Sequence, residues 1–176
     1  MGAVYREEGG EKMLKYIEKE LFRGQDAIEA YMEGHGSEEG LLKDLKGIAK
    51  RISPVWREYN EKVIVPQGRK PIVFNDDVLC GEDDVNAVEA YMFIDEQWKK
   101  IVKVDLTTEK DVRSFCKRQV EDDLYGLARY LTQARIAEMK EQPMKREASI
   151  VNAIGKLSFT IYDVKFSLER MEEVER

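Results

Sequence analysis

At 176 residues, 43% of them hydrophobic and 36% charged, the chain has the length of one domain and enough apolar sequence to close a core without covalent staples, which excludes a disordered chain. A net charge of −6 and a sequence pI near 5.1 exclude polyanion binding by bulk charge. Cys80 and Cys116 have no second cysteine or histidine at ligand spacing, against a disulfide framework or a zinc site. No signal core and no apolar run near the roughly 18 residues of a membrane span occur, so a cytoplasmic protein without a cofactor is expected.

Glu7-Glu8-Gly9-Gly10-Glu11-Lys12 stands directly before Met13, and codons for Glu-Gly-Gly-Glu can spell a purine-rich bacterial ribosome-binding site. Residues 1–12 are therefore expected to be a leader or a disordered arm, with Met13 as the native start and 13–176 as a single domain. From Glu11 to Glu33, Leu14, Ile17, Leu21, Ile28, Tyr31 and Met32 fall on one stripe at helical spacing. Gly34-His35-Gly36 breaks that helix. Ser37 then reads as the N-cap of a second helix, with Glu38 and Glu39 in its positive first turn. Its stripe is Leu41, Leu42, Leu45, Ile48, Ala49 and Ile52, and it is predicted to stop at Ser53-Pro54, because a residue before proline resists helical geometry.

Beyond Pro54 the β-branched and aromatic runs Val63-Ile64-Val65 and Ile72-Val73-Phe74, separated by the turn-rich residues 66–71, predict a β-hairpin. Asn75 to Asn86 reads as an exposed acidic loop. Val88 to Ile94 and Trp98 to Val104 predict a second hairpin. Thr108, three residues before Asp111, caps a long helix with the stripe Val112, Phe115, Cys116, Val120, Leu124, Leu127, Leu131 and Ala134, ending before Pro143. Leu157, Phe159 and Ile161, then Val164, Phe166 and Leu168, alternate strictly and predict a closing strand with a bulge or a tight hairpin, followed by a short charged helical tail. The expected fold is α+β: an N-terminal helical hairpin, two β-hairpins, one long helix and a C-terminal strand or hairpin, in an antiparallel or mixed sheet with helices on one side.

Candidate chemistry is sparse. His35 is the only histidine and its glycine neighbours point to a neutral loop position. Gly34-His35-Gly36 lacks the spacing of a phosphate-binding loop. Asp76, Asp77, Glu82, Asp83 and Asp84 gather carboxylates that could attract a divalent cation, but as adjacent pairs rather than at the alternating positions of a calcium loop. The same acids could instead imitate phosphate charge for an Arg- and Lys-rich protein partner, with Tyr91 and Trp98 as aromatic anchors. On the long helix Arg118, Arg129 and Lys140 recur every eleven residues and form a ridge that Lys145 and Arg146 extend, a candidate track for a phosphate backbone diluted by Glu121 and Asp122.

The reading that follows is a non-enzymatic protein-binding module in which the acidic loop engages a basic nucleic-acid-handling complex, as a phage or mobile-element accessory inhibitor would. Direct nucleic-acid binding through the basic ridge is the first alternative, and a metal-dependent hydrolase built on the acidic loop the second.

Overall fold

The computed structural model describes residues 2–74, 76–81 and 106–175, and within them the expected α+β sheet is replaced by helices alone. They are α1 (Gly2–Met32), α2 (Glu38–Tyr59), a four-residue α3 (Asp76–Leu79), α4 (Glu109–Met139) and α5 (Pro143–Glu175). The second predicted hairpin, 88–104, lies outside the described residues.

The first helical hairpin and the long helix form as their sequences dictate. Ser37 Oγ accepts from the Gly40 N–H at 3.1 Å and Thr108 Oγ1 from the Asp111 N–H at 3.2 Å, so each cap satisfies one orphan donor of the first turn. The stripes read from the sequence are the buried faces: Leu14, Ile17, Leu21 and Ile28 in α1, Leu41, Leu45, Ile48 and Ile52 in α2, Val112, Cys116, Val120, Leu127 and Leu131 in α4.

Three elements depart from expectation, each for a physical reason. α2 does not stop at Pro54. Pro54 is on the exposed face, where water can replace the bond its missing N–H would make, while buried Ile52, Trp56 and Tyr59 hold the helix in the core on either side. The predicted strand at 63–65 is a continuation of that helix: a π-helical turn over Asn60–Ile64, then a 3₁₀ turn over Val65–Gln67. Val63 and Ile64 are buried in the core with Tyr59 and Trp56, and tertiary burial overrides their strand preference. Gly68 ends the segment at φ 73°, its N–H bonded to the Val65 carbonyl, a left-handed stop that favours glycine. Its expected partner strand, 72–74, is extended chain without a sheet.

The third correction is the C-terminal strand, which is part of α5. The polar residues that made the pattern look alternating are hydroxyls bonded within their own helix: Thr160 Oγ1 donates to the Lys156 carbonyl at 2.9 Å and Ser167 Oγ to the Asp163 carbonyl at 2.9 Å. A hydroxyl satisfied by the carbonyl four residues back can be buried like an apolar group. The face that enters the core is Ile150, Ala153, Ile154, Leu157, Ile161 and Val164, with helical period.

Side-chain contacts fix the directions of the helices. Glu20 of α1 meets Arg51 of α2, and Asp123 of α4 meets Lys156 of α5, so each hairpin is antiparallel about a short corner. Tyr31 of α1 lies by Cys116 of α4, while Arg135 stacks over Phe22 at 4.9 Å, so α4 also runs antiparallel to α1 and therefore parallel to α2. The connection from Gly68 to Thr108 thus starts and finishes at opposite ends of the bundle, as in four-helix folds with one crossover. Gly81 lies midway along it. Its φ is 68°, and a Cβ there would stand 2.5 Å from Ile161 Cγ2, so only glycine lets the chain pass this close to α5. Leu106 reaches the far end, packed with Val112, Phe115 and Met171.

The helical reading of α5 makes a discriminating prediction. Leu157→Ala should lower stability by about 2–5 kcal/mol, and Asn152→Ala, on the exposed face, by less than about 0.5 kcal/mol, both read from urea midpoints. Similar midpoints for the two variants would contradict the assigned face.

Candidate functional site

At the end of the bundle where α2 stops and α5 begins, the ends of α2, α4 and α5 meet residues 10–14 of α1 around a cleft of about 580 Å³, within the usual range of ligand-binding clefts. Its wall on the α2 side is Tyr59, Val63, Gln67 and Arg69, and behind it one side chain ties down the chain that follows. The Asn60 amide donates to the Ile72 carbonyl at 2.8 Å and accepts from the Ile72 N–H at 2.9 Å, so a side chain does for the extended segment what a neighbouring strand would do. Trp56 Nε1 donates to the same carbonyl at 2.6 Å. Arg69, whose N–H donates to the Ile64 carbonyl at 3.3 Å, makes two bonds to Glu147, of 2.7 and 2.9 Å, in the paired geometry that favours arginine over lysine. Tyr59 donates to the same carboxylate at 2.6 Å.

Neighbouring residues on a helix point about 100° apart, so Arg146, beside Glu147, faces the other way. Its guanidinium is only 4% exposed and meets Glu11 at 2.5 Å, Glu18 at 3.2 Å and Glu138 at 3.8 Å. Leu14, Val63 and Ala137 supply apolar lining between these charges, and Glu141, Pro143 and Met144 form the lip. Glu141 has a φ of 54° and turns the chain from α4 into α5.

The electrostatics fix protonation states. Burial pushes Glu147 upward, but its bonds from Arg69 and Tyr59 outweigh this and hold it below the ordinary glutamate value. Tyr59 is pushed well above the usual phenol range by burial and by the facing carboxylate. Burial alone would weaken the charge on Arg146, and Glu11, Glu18 and Glu138 more than restore it. Glu147 and Arg146 are thus held charged and Tyr59 neutral near neutral pH.

Two further polar clusters are structural. Glu20, 2% exposed, bridges Arg23 at 2.8 Å and Arg51 at 2.9 Å. Deep in the α4–α5 seam Asp123 faces Asp163, with Lys156 Nζ 3.3 Å from Asp123 Oδ1. Burial pushes Asp123 above the ordinary aspartate value against the lowering effects of Asp163 and Lys156. Burial likewise raises the Cys116 thiol, which makes it an unreactive core residue.

The residues singled out from the sequence scatter. Asp76 is drawn against the bundle, bonded to Ser53 and ion-paired with Arg57, beside a small recess of about 180 Å³. Asp77 follows it in α3. Glu82, Asp83, Asp84, Tyr91 and Trp98 lie outside the described residues. Among the described residues no three His, Cys, Asp or Glu side chains gather as metal ligands, and no helix is long and apolar enough to cross a membrane. Arg118, Arg129 and Lys140 are exposed on α4, as are Glu121 and Asp122, and Lys145 is exposed at the start of α5. Arg146 does not extend that ridge, because it points inward to its three carboxylates. His35 is exposed in the α1–α2 corner.

Sequence reasoning missed Tyr59, Arg69 and Glu147 altogether. A signal existed for some of the buried charges: Asp123 lies three residues after Val120 and four before Leu127, and Arg146 four before Ile150, so both interrupt an apolar stripe in phase. Arg69 carried no such signal, since its partner Glu147 is distant in sequence.

Removing the buried cation should be costly. Arg146→Ala leaves Glu11, Glu18 and Glu138 facing one another without it, and we expect a loss of about 3–5 kcal/mol in chemical denaturation. A chain shortened to begin at Met13, which lacks only Glu11 from this set, should lose less, and a loss equal to that of Arg146→Ala would contradict the shared clamp.

The seam carries a pH dependence. Asp123 has its folded pKa raised, so its favourable contribution is complete below the unfolded value and is lost as pH rises through the folded one. Asp123→Asn mimics the protonated acid. It should therefore melt higher than the parent at neutral pH and match it below the ordinary aspartate value of 3.8. Glu147 acts in the opposite sense, stabilising above its unfolded value and losing that as pH falls through its lowered folded value. A Tm difference for Asp123→Asn that is constant with pH would refute the assignment.

Compared with known proteins, the chain matches no family model, no curated protein and no solved structure.

Proposed function

We propose that this protein is a non-enzymatic binding module that holds a protein partner at the end of the bundle where the cleft opens. The observation that carries the reading is the apolar surface around the α4–α5 corner. Met144, 56% exposed, lines the cleft, and Ile136 and Met139, 45% and 83% exposed, share an outward face of the last turn of α4 that points away from the lining residues Ala137 and Glu138. Methionine is flexible and polarizable and suits surfaces that adapt to a partner. Large apolar side chains grouped beside a cleft mark an interaction site more often than isolated ones do.

The chemistry within the cleft agrees with a passive role. Arg69, Tyr59 and Glu147 are bonded to one another, and Arg146 is held by carboxylates. Such groups shape and rigidify a surface without offering a nucleophile and base in contact. Of the acidic loop expected to contact a basic partner, Asp76 is engaged by Arg57 and Ser53 and Glu82, Asp83 and Asp84 lie outside the described residues, so the proposal rests on the bundle end instead.

The test uses tagged wild-type protein and a Met139→Asp/Met144→Asp variant as baits in nuclease-treated bacterial lysate. A stoichiometric protein retained by the wild type should be lost by the variant, with the melting curve of the variant unchanged. A partner bound equally by both, or by neither, would overturn the proposal.

A further inference from the structure

We infer that the occupant of the cleft is a basic amphipathic helix of the partner, its apolar face seated on the cleft and its Lys or Arg side chains on the lip. This rests on the reading of the corner as a binding surface and adds the chemistry of what binds there. Two observations carry it beyond an exposed apolar patch.

The first is charge. The side chains that line the cleft include four carboxylates, Glu11, Glu138, Glu141 and Glu147, against two guanidinium groups, Arg69 and Arg146. The excess is unevenly placed. Glu147 is only 6% exposed and takes both bonds of Arg69, and Arg146 is enclosed with Glu18 below and Glu11 beside it. Glu138, whose side chain is 40% exposed and only 3.8 Å from the guanidinium, and the exposed Glu141 remain open to an incoming cation. Lys140 and Lys145 are also exposed near the corner but do not line the cleft, whereas Glu138 and Glu141 do, so the lining attracts a cation and disfavours an acidic segment.

The second is shape and surface. The lining between the charges is Leu14, Val63, Ala137 and Met144, with the flexible Met144 56% exposed at its rim. An apolar floor with acids along one lip is complementary to a helix carrying apolar residues at three- and four-residue spacing and cations beside them, the groove mode of peptide recognition. A small polar cation would leave the apolar floor uncovered, and a nucleic acid would meet the carboxylates with like charge.

The intact protein is titrated against three labelled peptides of about 15 residues, long enough to form a helix: an amphipathic Leu/Lys sequence, its Leu/Glu counterpart and a Gly/Lys sequence of equal charge. Fluorescence anisotropy should report saturable binding of the Leu/Lys peptide alone. Glu141→Lys, a change at an exposed turn, and Glu138→Gln should each weaken it by about fivefold to tenfold, near the size of one charged contact, and Met144→Asp should do the same. No binding of the Leu/Lys peptide, equal binding of the Gly/Lys peptide, or affinity unchanged by all three substitutions would overturn the inference. If the lysate partner is lost in the methionine variant while the Leu/Lys peptide fails to bind, the binding-module reading stands and the basic-helix inference alone falls.

Discussion

The bundle is organised around a pair of adjacent residues on the first turn of α5. Arg146 reaches Glu11 and Glu18 on α1 and Glu138 on α4, while Glu147 reaches Tyr59 on α2 and Arg69 just beyond it. One dipeptide therefore touches every other long helix. A buried charge network of this kind is weak evidence for net stability, since desolvation consumes most of the attraction. Its effect is on uniqueness: each charge is tolerable only in the one arrangement that supplies all its partners, so helix register and rotation at this end are fixed by the cost of any alternative. The apolar stripes alone would allow the helices to slide, and the clamp does not.

That rigidity connects the fold to the cleft. The cleft exists because the helix ends are held apart by paired charges rather than closed by apolar packing. Its α2 wall continues through the π-helical turn, which carries the lining residue Val63. Turns of this type inside helices are recurrently found at functional positions.

How much of this was legible in the sequence varied by element. The stripes of α1, α2 and α4 and the caps Ser37 and Thr108 were readable because helical period and capping are local properties. The strand assignments failed where local pattern and tertiary context disagree. Val63-Ile64-Val65 has strand composition, but burial beside Trp56 and Tyr59 keeps it helical. Leu157 to Ile161 alternates only if Ser158 and Thr160 are counted as exposed, and a hydroxyl that bonds its own helix is invisible to such a count. The acidic loop drew attention because its charges are adjacent in sequence. The charges of the clamp are brought together from positions as far apart as Glu11 and Arg146, and no local pattern could announce them.

The crossover has a consequence for how the chain acquires this structure. α1 with α2, and α4 with α5, are hairpins joined by corners of a few residues, so each pair can meet without the rest of the chain. The bundle end is different: its charge partners come from both hairpins and can pair only once the halves have met, with the loop between α2 and α4 closed. Desolvating Arg146 and Glu147 before their partners arrive would be unfavourable, so the polar clamp belongs to the late, slow side of the folding barrier. Interactions formed after the barrier chiefly set how slowly a protein comes apart. The residues that shape the cleft are thereby also the ones that govern the lifetime of the folded state.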